Sequence, residues 1–583
     1  MSKDLSTNNI AKLFLRILPV QIFVVIASSL SSLINGLFIG NNLSSEAMVA
    51  LGFVTPLSAI IAAIVSIFSG GAGILCGKFM GSGEKEKLDK VFSNSLIALV
   101  AVALFITLLC EVLASPIASL LGASSELVGV TSTYIRGLII GTLPTMLVPC
   151  LMVFLQMCNE SNFSLISTIL LAVFNLIFGL INVKVFNGGI FGIGVATSLS
   201  YFVVLVIIAF FFKKKNELSF DIKDFDKAML KELVIFGFPS ALANILYAVR
   251  NMWINNLASN VGGAIAIGAL AIFGSFCGIF DSFNIGVCNA SKMLASVFVG
   301  ERDSNSLKKL VKHAMKRGFI IGLLKVVSMV LFAGVVARLF SSDSLIIEEA
   351  KNLLILYSLA APLNMLFVVV MSVYQCFGKV TYCNILYIIT CIIAPISCCY
   401  IAPLFMGING VWICYVFAEV VIILVVYLLV AIKKKSLNVS LDDLLLIDSE
   451  FEIEDKYSKS INSIDEVINI SNEIEAYCLS KNIDKRRSML AGLCVEEMAG
   501  NIVDHGFKRD NKKHTIDTFL AIENDDISIR LRDDCVAFDP KSKIEMMNPS
   551  DPCKNIGIKM VAKVSKDMNY QTTFGMNVLT IKL

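Results

Sequence analysis

The feature that most limits what this chain can fold into is a succession of long apolar runs that fills residues 1–432. A helix that crosses the hydrocarbon core of a bilayer needs about 20 predominantly apolar residues. Runs of that kind fall near 13–38, 48–77, 92–114, 134–157, 164–186 and 191–212. A second set falls near 232–258, 264–298, 316–340, 351–377, 381–403 and 408–432. Only 16% of the residues are charged, against roughly 25% in a soluble protein, and the mean hydropathy is +0.78. A soluble globule could not hide that much apolar surface. The sequence therefore predicts an all-α polytopic membrane protein of twelve helices in a lipid bilayer, followed from about residue 433 by a charged, water-exposed tail.

The small net charge of +3 calls for no nucleic-acid partner. Sixteen cysteines lie mostly inside apolar runs, as Cys391, Cys398 and Cys399 do, and only three histidines accompany them. They read as small hydrophobes rather than as a disulfide framework or a metal set. The first apolar run is not followed by a small-residue cleavage site, so it reads as a retained span.

Lysine and arginine gather in alternate loops, at Lys78, Lys85, Lys87 and Lys90, at Lys213–Lys215, and at Arg302, Lys308, Lys309, Lys312 and Lys316. Segments 39–47, 115–133, 259–263 and 404–407 contain neither. By the positive-inside rule this places both termini, and hence the tail, on the cytoplasmic side of the cell's inner (plasma) membrane.

The two sets of six runs also repeat each other. Pro19 falls opposite Pro239, Leu88 opposite Leu307, Pro144 opposite Pro362, Gln156 opposite Gln375, and FGIGVA at 191–196 opposite GINGVW at 407–412. The offsets stay within 216–220 residues, as expected of a duplication. An even number of helices per copy gives both copies the same orientation. Transporters built from such repeats bind substrate near the midplane between the halves.

This pattern, with LP and FP early in the two copies and INGLFIGNNLSSEAMVALGFVTPL at 34–57, resembles the multidrug and toxic compound extrusion (MATE) transporters over about residues 10–435. The resemblance implies two six-helix lobes and export of small organic, often cationic, compounds in exchange for a proton or sodium ion. The chain departs from it where members carry coupling acids: Asn35 replaces an aspartate, and helix seven offers Tyr247 and Arg250. An amide cannot release a proton at physiological pH, so Asn35 is a polar contact at most. Asp281 is an acid deep in an apolar run, and an intramembrane charge is a functional candidate by default. Its bland alternative is a salt bridge to Arg250. Glu419 is a second, weaker candidate, and Asn175, Asn244, Asn251, Asn255 and Asn284 either line a polar cavity or bond helices together.

In the tail, FEIED reads as a strand and SIDEVINISNEIEAYCL as an amphipathic helix. A helix over about 484–505 carries VEEMAGNIVDHGF, TIDTFLAIEN and ISIRLRDD read as paired strands, 536–554 reads as a loop, and a helix near 556 precedes closing strands. On the second helix Glu497 and Asn501 lie about 40° apart, whereas Glu496 points about 140° from Asn501. An amide oxygen suits Mg²⁺, and a carboxylate one turn away can orient or deprotonate water. A solvated face with a capping Gly506 explains the same residues, and His505 reads as the helix end. Asp533 closes a strand where a carboxylate can accept from an adenine amine, and Gly557 opens a helix whose free N–H groups form an anion site.

In that order these residues resemble the Bergerat-fold ATPases, most nearly the anti-sigma-factor serine kinases, over about 447–583. The resemblance implies an α/β sandwich binding ATP and Mg, with Glu497 as general base, Asn501 on the metal, Asp533 on adenine and Gly557 in the phosphate cradle. Cys535 and Asn555 stand where glycines are usual, which favours binding over fast turnover. No histidine lies in 464–480, which disfavours a histidine kinase. The expected division is lobe 1 over 1–220, lobe 2 over 221–435, a linker over 436–446 and the tail domain over 447–583. Three readings remain: a secondary transporter with a regulatory ATP-binding domain, a ligand-sensing receptor controlling a serine/threonine kinase that acts on a cytosolic protein partner, and an exporter whose tail helps assembly.

Overall fold

Prolines and glycines decide where the apolar runs become separate helices. The computed structural model describes residues 6–42, 45–215, 218–448, 451–507, 513–523, 525–540 and 556–583. Its membrane body contains α1 (Ser6–Asn42), α2 (Ser45–Ser82), α3 (Lys85–Val112), α4 (Val128–Ile139 and Thr142–Met157), α5 (Ser161–Phe186) and α6 (Gly189–Lys215). Lys227–Gly300 is continuous by hydrogen bonding, but Gly263 adopts φ 59° and ψ −144° and splits it into α7 (227–262) and α8 (264–300). Then come α9 (Ser304–Phe340), α10 (Ser344–Leu359 and Ala361–Cys376), α11 (Val380–Met406) and α12 (Ile408–Lys434). Among the described residues nine helices are long and apolar enough to cross a membrane, and two bent pairs bring the number to eleven. Division at Gly263 makes twelve.

The duplication is visible in detail. α4 bends by 49° just before Pro144 and α10 by 43° just before Pro362, because each proline lacks the N–H that would continue the ladder. Gln156 Oε1 accepts a hydrogen bond from Gln21 at 3.1 Å in the first copy, while Gln375 Nε2 donates to Ser240 Oγ at 3.0 Å in the second. In both copies the glutamine of this helix is thus bonded to a polar side chain one or two residues after the early proline of its lobe.

The two lobes meet through glycines at one end of the body. A Cβ on Gly77 or Gly81 of α2 would collide with Ser296, Val297 or Glu301, and one on Gly300 would collide with the backbone of Lys78. Only hydrogen side chains permit α2 and α8 to touch there. The body is closed at that end, and the tail covers it.

The tail is a sheet of five antiparallel strands, β1 (Lys456–Ile461), β2 (Ile516–Glu523), β3 (Asp526–Asp533), β4 (Asp567–Thr573) and β5 (Met576–Lys582), in the order β1-β2-β3-β5-β4. The first strand begins after FEIED, not within it: Lys456–Ile461 takes the register opposite Ala521–Ile516, whereas Ile453 packs beside Phe519 and Ala521. Of the loop read over 536–554, residues 541–554 lie outside those described. Helices α13 (Ile464–Ser480), α14 (Lys485–Asn501) and α15 (Ile556–Val564) cover one face of the sheet. Ile470, Ile474, Val495, Met498 and Val561 meet Ile516, Leu520, Ile529, Leu531, Leu579 and Ile581 there. Each fully buried side chain of this kind contributes about 1.5–3 kcal/mol.

The opposite face of the sheet lies on the membrane body. Alternation along β3 sends Ile527, Ile529 and Leu531 to the helices and Arg530 and Arg532 toward the body, where they are 8% and 6% exposed. The two-residue turn Phe574–Gly575, with φ 53° and 77°, joins β4 to β5. Phe574 is buried within the body's main apolar cluster. A phenylalanine holds a left-handed conformation only where packing fixes it.

Candidate functional site

Two cavities collect the chain's chemical residues. The first, about 290 Å³, lies wholly in the second lobe, between α7, α8, α9, α10, α11 and α12. This differs from a site between the two halves. Arg250 and Asp281 both line it, together with Lys325 and Glu419. They do not pair as expected: both Asp281 oxygens accept the Tyr357 hydroxyl, at 2.7 and 2.8 Å. Arg250 sits against the rings of Tyr247 and Tyr415, 4.8 and 5.3 Å from their centroids. A relay of amides joins the other two charges. Lys325 Nζ donates to Asn284 Oδ1 at 2.6 Å, Asn284 Nδ2 to Asn364 Oδ1 at 2.7 Å, and Asn364 Nδ2 to Glu419 Oε1 at 2.9 Å. Asn35 lies within α1, and its side chain is outside the described residues.

Lys325 was not anticipated. Its signal was present, a lone cation in IIGLLKVVSMV, but it follows Lys312, Lys316 and Arg317 and merges with that basic stretch. Glu419 acquires weight from Asn364, which no spacing along α12 would reveal.

The second cavity, about 370 Å³, lies in the tail between α14, the end of β3, and the start of α15. Helical spacing brings Met498, Asn501, Ile502 and His505 to its wall, and Asp533, Tyr570 and Asn577 line it from the sheet. His505 lies at the end of the helix, as expected, and also lines this cavity. The helix continues past Asn501 as a π turn, Ile502–Gly506, which carries His505 onto that wall. Glu496 turns away and accepts the Ser471 hydroxyl of α13 at 3.3 Å. Glu497 instead meets the start of α15: a Cβ on Gly557 would collide with its Oε2. Glu497, Asn501, Asp533 and Gly557 are therefore brought into one neighbourhood.

Asp533 is held in a defined orientation. Its Oδ1 accepts from Asn577 Nδ2 at 2.8 Å and from the Cys535 amide at 2.9 Å. Burial raises its pKa above the ordinary aspartate value, and these two donors oppose the rise. A carboxylate fixed among Ile502, Ile558 and Leu579 suits a flat apolar ring that presents an N–H donor. Beside it, His514, Asp534 and Cys535 offer ligand atoms within 4.8 Å of one another, though Asp534 is already engaged by His514 at 2.8 Å and Lys12 at 3.8 Å.

A body of paired six-helix lobes with a polar cavity inside one of them defines a multi-pass solute transporter. Residues 21–181 and 239–401 match the MatE family model, one lobe each, and the chain belongs to that family. Residues 462–583 match the histidine kinase-like ATPase domain, so the membrane body is fused to such a domain. The multidrug export protein MepA of Staphylococcus aureus is 23% identical over 433 residues, which is 73% of this chain and 95% of that protein. Solved structures agree in fold. An outward-facing multidrug resistance MATE family transporter aligns with TM-score 0.67 and 22% identity over 71% of this chain and 94% of its own. A MOP superfamily transporter from Pyrococcus furiosus aligns with TM-score 0.68 and 22% identity over 76% and 100%.

Proposed function

We propose that the chain exports small organic compounds through the second-lobe cavity, and that its tail binds Mg-ATP and regulates the transport step. Coupling to a proton or sodium ion falls to Asp281 and Glu419, the acids of that cavity. In the tail, Asp533 receives the adenine amine and Gly557 admits the phosphates to the start of α15. The Asn501 oxygen is a hard ligand for Mg²⁺, and Glu497 is placed to orient water. The positive-inside pattern supports a cytoplasmic position for this tail, where ATP is.

The observation that carries the regulatory reading is that the sheet is bonded to both lobes across their closed end. Toward lobe 1, Asn9 Nδ2 donates to Asp517 Oδ2 at 3.3 Å, Asn569 Nδ2 to Gly83 O at 3.2 Å, and Gln571 to Met80 O. Toward lobe 2, Arg532 and Arg530 reach Glu301, and Lys456 donates to Ser304 at 3.0 Å. Opening this end requires α2 and α8 to part, and so requires these contacts to break. Arg532, bonded to Glu301 of lobe 2, is adjacent in sequence to Asp533 of the proposed ATP site, and that proximity supports a link between nucleotide occupancy and the seat of the tail.

The test is substrate transport by the full chain in proteoliposomes, with and without Mg-ATP, beside Asn501→Ala and Arg532→Gln. Asn501→Ala should lose nucleotide binding and the response together. Arg532→Gln should keep binding but transport independently of ATP. Identical ATP responses in all three proteins would reject regulation. Phosphate transfer to a cytosolic protein with no transport would favour the receptor–kinase reading.

A further inference from the structure

The charges in the second-lobe cavity are not equally satisfied. Asp281 is held by Tyr357, and Glu419, only 7% exposed, is capped by Asn364 at Oε1 while its Oε2 is buried without a hydrogen-bond partner. Lys325 gives a hydrogen bond to a neutral amide and lies 4.0 Å from the centroid of Phe280. Arg250 remains. It is only partly buried, its Nε has no hydrogen-bond partner, and among the described residues no ion pair joins it to a carboxylate. What surrounds it is the aromatic wall of Tyr247 and Tyr415. A guanidinium is charged at every accessible pH, so the cavity presents a fixed cation against ring faces.

We propose that Arg250, with Lys325 elsewhere on the same lining, binds the anionic group of the transported compound, a carboxylate or phosphate carried on an aromatic or apolar body. The proposal rests on the reading of this cavity as the substrate site. A guanidinium receives a carboxylate or phosphate through two parallel N–H donors, a geometry an ammonium cannot supply. Tyr247, Tyr357, Tyr387 and Tyr415 line the same cavity and offer ring faces to the rest of the molecule. An organic cation of the same shape would meet Arg250 with like charge, while both Asp281 oxygens are held by Tyr357 and the one unpartnered acid oxygen, Glu419 Oε2, is buried. Asp281 and Glu419 then serve to keep the cavity near neutrality rather than to hold the substrate's charge.

The experiment compares three probes of one shape: 2-naphthoate, naphthalene-2-methanol and 2-naphthylmethylammonium. Their binding to the full chain is measured by naphthalene fluorescence in nanodiscs of zwitterionic phosphatidylcholine, so that no anionic lipid headgroup competes. The native protein should hold 2-naphthoate about tenfold more tightly than the ammonium. Arg250→Gln should weaken 2-naphthoate roughly tenfold to a hundredfold and leave the alcohol unchanged, with Arg250→Lys between them. The unchanged alcohol shows that the cavity is still folded. Val368→Trp, which narrows the cavity, should reduce all three. Ammonium binding as tight as naphthoate, or parallel loss of alcohol and naphthoate in Arg250→Gln, would overturn the anion assignment alone, provided Val368→Trp still reduces binding. Probes that ignore Val368→Trp, or that do not bind the native protein, would overturn the substrate-site reading and this inference with it.

Discussion

The two faces of the tail sheet are built on opposite principles, although one strand supplies both. Toward the helices β3 presents Ile527, Ile529 and Leu531, then Asp533 at the cavity of the tail. Toward the membrane body it presents Arg530 and Arg532, buried against Glu301. The apolar face gains its stability without regard to partner, by removing area from water. The charged face gains only if the matching carboxylate is present and aligned, because two buried ions must first be desolvated. The first face makes the domain fold; the second makes its seat on the body conditional. That difference is what a regulatory contact requires.

The largest test of it is Glu301→Ala. Glu301 is 1% exposed at its side chain and meets both arginines, while Asp303 lies 3.8 Å from Arg532. Burial works against the charge of Arg532, but Glu301 and Asp303 outweigh it and its pKa is raised, so it stays charged. Removing one partner of such a pair costs about 3–5 kcal/mol, because the other charge is left buried. Hydrogen exchange should rise across β3 and β5 in the full chain while ATP affinity falls little. Unchanged protection would mean that the charged face does not seat the tail.

On the apolar face, Asp533→Asn should weaken ATP by about 1.5–3 kcal/mol, the range for a hydrogen bond to a charged group. Isothermal titration with Mg-ATP measures it. The native protein should also lose affinity on acidification. Burial raises the Asp533 pKa above its usual value of about 3.9, so the carboxylate becomes protonated, and stops accepting, at a higher pH than a free aspartate. Asp533→Asn should flatten that dependence. An identical pH profile would take adenine recognition away from this residue.

How far the sequence revealed these sites follows from how local each one is. Glu497 and Asn501 lie on one helix, and a spacing of four residues was enough to separate Glu497 from Glu496. The second-lobe cavity draws on six helices. There the sequence marked Arg250 and Asp281 as costly intramembrane charges but suggested pairing them with each other, when Tyr357, some 76 residues from Asp281, takes the acid. Arg530 and Arg532 were readable only as part of a strand. A charged face on an alternating strand looks solvated until the surface opposite it is known. The helix count and the repeat were legible because length, proline placement and periodicity are properties of the chain itself.

Gly557→Ala sharpens the local side of the comparison. The added methyl would strike Glu497 Oε2, the end of a flexible side chain that can turn aside, so the cost should fall at the low end of overpacking, about 1 kcal/mol. The cost should shrink in a Glu497→Ala background, since residues in contact are not additive. Thermal unfolding of the four proteins of that cycle gives the coupling. Additive effects would place the glutamate elsewhere in the folded tail.

The smallest effect is expected one residue from the largest. Arg302 Nη1 binds Glu523 Oε1 at 2.6 Å, a shorter distance than the 3.4 Å between Arg530 and Glu301, yet its side chains are 39% and 46% exposed. Exposed pairs are worth about 0–1 kcal/mol, since water and salt screen them and two long side chains lose freedom in forming them. Arg302→Ala should therefore change tail protection by less than about 1 kcal/mol, and raising the salt should erase the difference, while the Glu301→Ala defect should persist. If the two variants behaved alike, proximity rather than burial would govern the seat of the tail. The contrast between the faces of β3 would then lose its physical basis.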